Sequence, residues 1–159
     1  MDNQSTSSGI NIVPVRHETI DKLLELIADY QHFYGIENPD GAKNKEFFTA
    51  ILNNPQQGRQ FLYLNPAEEV VGFITLYFSY SSVRAVENVV LNDLYVAPNH
   101  RGKGIGRELI NFAYNWALKR DKYFSLVWET EKSNRNAQYL YDSIENHRKS
   151  EWIHYQVVC

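Results

Sequence analysis

Apolar residues recur at two spacings along the chain, and the switches between them mark the elements. In "ETIDKLLELIADYQHFY" (18–34) they fall at Ile20, Leu23, Leu24, Ile27 and Tyr30, the three-to-four repeat of a helix with one buried face. "AKNKEFFTAILNN" (42–54) repeats the pattern through Phe47, Phe48, Ile51 and Leu52, between the breakers "GIENPDG" and "NPQQG". Ahead of both, "INIVPVR" (10–16) reads as a short strand. The spacing then shortens: "QFLYLN", "VVGFITLYFSY" and "AVENVVLNDLYVAP" predict three strands of an antiparallel meander, parted by Asn65–Pro66 and by "SSVR". A helix follows on Leu109, Ile110, Phe112, Ala113, Trp116 and Ala117, then a strand "YFSLVWETE", a helix "RNAQYLYDSIEN" and a last strand "EWIHYQVV". The predicted order is β-α-α-β-β-β-α-β-α-β. With no internal repeat or linker, it implies one mixed α/β domain over 10–159 around a central sheet, after a disordered tail at 1–9.

Chemistry concentrates where the third strand of the meander meets the next helix. "APNHRGKGIGREL" (97–109) sets Gly102, Gly104 and Gly106 at alternate positions between Arg101 and Arg107, with Lys103 and Ile105 interleaved. A helix start carries unpartnered N–H groups and partial positive charge. Glycines there free the backbone and let an anion approach those amides. Three cationic side chains beside them favour a diphosphate over a single carboxylate. The spacing is neither a Walker loop, which needs two glycines four residues apart followed by Lys-Ser/Thr, nor the dinucleotide pattern G-x-G-x-x-G.

Composition narrows the partners. A net charge of −3 supplies no field for nucleic acid or an anionic membrane surface, whereas a basic small molecule suits it. The single cysteine, Cys159, excludes an internal disulfide and fits a reducing cytoplasm. No stretch approaches the roughly 18 apolar residues of a membrane span, and the five histidines show no metal-binding spacing, so no metal is expected. The 22 aromatic residues are a high share that fits either a core alone or a core with a lined pocket or interface, and Tyr34, Tyr77, Tyr80 and Trp128 are candidates for a wall facing a cationic amine.

The segment "LNDLYVAPNHRGKGIGRELI" resembles the acetyl-CoA loop of the GNAT superfamily of N-acetyltransferases, Arg/Gln-x-x-Gly-x-Gly/Ala, through Arg101, Gly104 and Gly106. A second family pattern, Asn-x-x-Ala-x-x-Leu-Tyr, matches Asn134, Ala137, Leu140 and Tyr141. The element order agrees with that fold over nearly the whole chain, and "HFYG" and "EWIHY" look like its small-amine and histone-type branch.

The resemblance implies an acyltransferase that moves the acetyl group of acetyl-CoA to a primary amine of a small molecule or basic peptide. Its sheet would splay where a bulge interrupts pairing beside "DLYV", the pantetheine arm lying against the backbone of Leu94, Tyr95 and Val96 and the diphosphate on residues 102–107. Tyr141 would protonate the departing thiolate, and Asn134 would cap its helix while its amide holds the pantetheine arm. Diamine-acetylating relatives carry a Glu where this chain has Asn92, so the base passes to the nearest carboxylates, Asp93 and Glu87, which plain strand alternation puts on one face. Tyr34, Asn92, Asp93 and Trp128 are the expected acceptor contacts. The Gly-Phe that follows the Tyr helix in many members is replaced by Glu145 and Asn146, of which Asn can adopt a left-handed turn. Two readings stay open alongside: a coenzyme A sensor without turnover, motivated by Asn92, and an apolar end "WIHYQVV" that either pairs with a second copy of the chain or completes its own sheet.

Overall fold

The computed structural model describes residues 11–159; the expected tail at 1–9 lies outside them. The elements are β1 (Asn11–Pro14), α1 (Ile20–Phe33), α2 (Gly41–Asn53), β2 (Gly58–Leu64), β3 (Val70–Ser81), β4 (Val86–Val96), a single 3-10 turn at Pro98–His100, α3 (Ile105–Leu118), β5 (Tyr123–Val127) and α4 (Arg135–Asp142). This is an α/β fold with a five-stranded sheet in the order β1-β2-β3-β4-β5, antiparallel except for the parallel β4–β5 pair. No described helix is long and apolar enough to cross a membrane. The chain divides into two compact units between Glu129 and Thr130.

In the first unit, strand register assigns each face its helices. Leu62 pairs with Phe73 and Phe73 with Tyr95, so their side chains share a face. They form one buried cluster with Ile20, Leu23, Leu26 and Ile27 of α1 and Phe48 and Ile51 of α2. The apolar stripes read from the sequence are therefore the surfaces that α1 and α2 bury. α2 begins where the Asp40 carboxylate accepts a hydrogen bond from the Lys43 amide at 3.0 Å. On the opposite face Phe61, paired with Ile74, meets Phe112 and Trp116 of α3 at 4.8 and 5.9 Å between ring centroids. Leu109, Ile110 and Ala113 are buried on α3.

The β4–β5 connection is a helical crossover, as parallel strands require. Its start, the loop after β4, therefore lies at the carboxyl end of a central strand, and that places the site.

In the second unit α4 is capped by Asn134, whose side-chain oxygen accepts from the Ala137 amide at 3.1 Å. Asn146 takes the left-handed conformation (φ 61°), four residues past the end of α4 rather than as its cap. The strand expected at 151–158 does not form: no regular element occurs there, and Trp152, Tyr155 and Val157 are largely exposed. Its pattern suits a strand, but the segment pairs with no strand among the described residues.

Candidate active site

β4 carries one residue too many for its partner. Thr75 of β3 pairs with Asp93 and the next residue, Leu76, pairs with Leu91, leaving Asn92 as a bulge. The extra residue reverses the facing of everything beyond it. Cross-strand partners share a face, so Asp93 faces with Thr75, Phe73 and Tyr77 toward α1, whereas Glu87, paired with Tyr80, faces the other way. The expectation that Glu87 and Asp93 share a face is corrected by this bulge. Glu87 instead accepts from the Lys122 ammonium at 2.9 Å in a partly exposed ion pair. Tyr80 shares that face and is largely exposed, away from the Asp93 side.

Asp93 is half-buried, and the Asn92 amide nitrogen donates to its Oδ1 at 3.1 Å. Loss of water raises the carboxyl above its ordinary range, and the polar side chains of Thr75, Asn92 and Tyr30 pull it back in part. Around it, Tyr77 is pushed up to about 12 by burial and by the Asp93 charge, and Tyr30 is raised by burial first, then by Asp93 and Tyr34. Thr75 is fully buried and accepts from Gln60 Nε2 at 3.3 Å; Gln60 Oε1 is a buried acceptor with no partner.

Pairing between β4 and β5 stops at Val90 with Val127, although β4 continues to Val96. From Leu91 onward the β5 side of the strand has no register partner, and this stretch holds Leu94, Tyr95 and Val96. Leu94 is half-buried; Tyr95 and Val96 are buried, Tyr95 within the α1 cluster. Trp128, the residue after β5, is half-buried.

At the end of β4 the chain enters the glycine loop. Gly102 (φ 74°) and Gly104 (φ 84°) are left-handed, and Gly104 starts α3 without a side-chain cap. A Cβ at either would meet nothing within 4 Å, so backbone conformation rather than crowding selects glycine. Gly106 lies inside the first turn of α3 and is not left-handed. Arg101 donates from Nε to the Val96 carbonyl at 2.8 Å, and its guanidinium lies 5.6 Å from the Phe33 ring and 5.5 Å from the Tyr95 ring. Its side chain thus pins the loop to β4 and α1. Lys103 and Arg107 are exposed or partly so at the same turn.

On α4, in its own unit, Tyr141 is half-buried and the Asn134 side-chain oxygen is engaged in its cap. Among the described residues no three His, Cys, Asp or Glu side chains gather as a metal site would need.

Tyr30, Thr75 and Gln60 are absent from the sequence-based candidates. A hydroxyl on an otherwise apolar helix stripe, and Thr75 inside "VVGFITLYF", were their signals. Neither identifies a partner until the strands are in register.

The sequence profile described as the acetyltransferase (GNAT) family matches residues 22–144. The chain is 30% identical over 146 residues to the uncharacterised N-acetyltransferase YhfO of Bacillus subtilis (strain 168), covering 92% of this chain and 95% of that protein. It is 36% identical over 133 residues to the D-amino-acid N-acetyltransferase HPA3 of Saccharomyces cerevisiae, covering 84% and 80%. A solved structure described as a probable acetyltransferase superposes with a TM-score of 0.82 at 28% identity, over 94% of this chain and 98% of that one.

Proposed function

The chain belongs to the GNAT family of acetyltransferases, and on that premise we propose that it carries an acetyl group from acetyl-CoA to a primary amine of a small molecule or a lysine-like side chain in one ternary complex. The observation that carries this reading is the free edge of β4 beyond Val90, which runs straight into the left-handed glycine turn at the start of α3. The free edge offers backbone groups to the amides of the pantetheine arm, as an added strand would. The turn offers its amides, with Lys103 and Arg107 nearby, to the diphosphate. Arg101 supports the turn from behind through Val96, Phe33 and Tyr95.

Asp93 accepts the proton of the acceptor ammonium, since attack requires a neutral amine. A backbone N–H on the free edge steadies the oxyanion as the nitrogen adds to the thioester carbonyl. The C–S bond then breaks, and Tyr141 protonates the thiolate. Asn92, which donates to Asp93, is proposed with Tyr34 and Trp128 as the acceptor's contacts, residues 10–159 together making up the acetyltransferase domain. A relative named for D-amino acids and another named for thialysine, from Bos taurus, support an amine that belongs to an amino acid or resembles lysine.

Incubation with acetyl-CoA and a panel of amino acids, polyamines, aminoglycosides and basic peptides tests the reading by release of free thiol. Release with at least one amine, above hydrolysis, is expected. Tight acetyl-CoA binding without release would replace the enzyme by the sensor suggested by Asn92.

A further inference from the structure

We propose that Gln60 and Thr75 are positioning residues for acetyl transfer: the Gln60 amide turns the Thr75 hydroxyl so that its hydrogen faces Asp93. The proposal rests on Asp93 taking the acceptor's proton as set out above, and it names what holds that carboxylate ready to do so.

Strand register lines the three residues up. Gln60 of β2 pairs with Thr75 of β3, and Thr75 pairs with Asp93 of β4. Cross-strand partners share a face, so one polar row crosses three strands. The rows on either side of it are apolar or aromatic: Leu62, Phe73 and Tyr95 on one, Gly58, Tyr77 and Val90 on the other. Gln60 and Thr75 are buried, Thr75 completely.

The Gln60 amide is satisfied on one side only. Its Nε2 donates to Thr75 Oγ1 at 3.3 Å, whereas its Oε1, also buried, has no partner. An amide oxygen buried without a donor destabilises a fold, and methionine would fill the same space without that cost. Packing therefore does not account for a glutamine here, but its effect on Thr75 does. A hydroxyl that accepts an N–H on one side keeps its own hydrogen for another direction. The second cross-strand neighbour of Thr75 is Asp93, and directly opposed side chains have Cβ atoms about 4.5–5.5 Å apart. At that range, with water largely excluded, the positive end of the hydroxyl dipole steadies the ionised carboxylate. The direction of the Asp93 carboxyl agrees, since burial raises it and Thr75 is among the groups that oppose the rise.

The other titratable groups about Asp93 come from three elements. They are Tyr77 on β3, Tyr95 on β4 with Asp29 and Arg101 near it, and Tyr30 of α1, whose ring meets those of Tyr34, Phe73 and Tyr95. The buried residues of α2 are Asn44, Phe48 and Ile51, none of them titratable.

The test uses Thr75→Val, which exchanges the hydroxyl for a methyl, Thr75→Ser, which keeps it, and Gln60→Met, which keeps the length and removes the amide. Thermal unfolding first shows which variants are folded. Two readouts follow: the Asp93 carboxyl resonance by NMR in protein carrying isotope-labelled aspartate, assigned by its loss in Asp93→Asn, and the acid limb of kcat/KM for thiol release with the amine panel. Thr75→Val should move both midpoints up by about one pH unit and Gln60→Met by about half as much, with Thr75→Ser close to wild type. Above the limb the rates should converge, which a merely structural defect would not allow. Should Thr75→Val not fold, Gln60→Met, which removes an unpartnered buried atom, decides alone. An unchanged or lowered midpoint in folded Thr75→Val, or an unchanged one in Gln60→Met, would overturn the positioning and leave the acetyl-transfer reading standing. Absence of wild-type thiol release with every amine would overturn both.

Discussion

Replacing Gly104 separates the loop's backbone geometry from its charge. The residue sits at φ 84°, and a Cβ built there touches nothing within 4 Å. Gly104→Ala therefore adds no steric clash, only the cost of holding an L-residue left-handed, roughly 1–2 kcal/mol. At about 2–4 °C per kcal/mol for a chain of this size, the melting temperature should fall by about 2–8 °C. Gly104→Asp meets the same backbone with a residue that tolerates it better, and a carboxylate at the start of α3 recovers about 0.3–1 kcal/mol from the helix dipole. Its melting temperature should stay close to wild type. Its affinity for coenzyme A should not: two unit charges about 6 Å apart repel by about 1.4–2.8 kcal/mol at an effective dielectric of about 20–40, a loss of roughly ten- to a hundredfold. Thermal unfolding and calorimetric titration with coenzyme A read the two quantities separately. A folded Gly104→Asp protein with wild-type affinity would refute the assignment of the diphosphate to this turn.

Asp93→Asn should lower kcat/KM by about a hundredfold or more, measured by thiol release, while leaving the fold at least as stable near neutral pH. The sign follows from the raised carboxyl. Its stabilising contribution is complete below the ordinary aspartate range and is lost as pH rises through the folded value. The stability gained by Asp93→Asn in urea unfolding should therefore grow from pH 3 to pH 7; a gain that shrinks would contradict the burial argument. Glu87→Gln removes a partly exposed ion pair on the opposite face, so stability should change by less than about 1 kcal/mol and kcat/KM by less than about twofold. A large kinetic loss there would mean that the bulge does not separate the two acids. Tyr141→Phe should lower kcat by about ten- to a hundredfold with KM unchanged, and steady-state kinetics that showed only a KM effect would remove it as proton donor.

The order of nine elements, from the strand at residue 11 to the helix of Tyr141, is legible in the chain because helix and strand periodicity are local properties. The glycine turn is legible for the same reason: the left-handed backbone at Gly102 and Gly104 requires that residue type whatever surrounds it. Strand pairing is not local. Alternation counted along "VENVVLNDLYV" puts Glu87 and Asp93 together, and only the register against β3 reveals that Asn92 is surplus and turns them apart. Tyr30 reads as one more ring on an apolar stripe until α1 is laid over the sheet and the ring meets Phe73 and Tyr95, on the face that Asp93 shares. The end of the chain, "WIHYQVV", has the pattern of a strand but pairs with none among the described residues, and stays irregular. Short-range spacing fixes what each segment is able to become; hydrogen bonds to residues distant in the chain decide which side chains meet and which segments become strands.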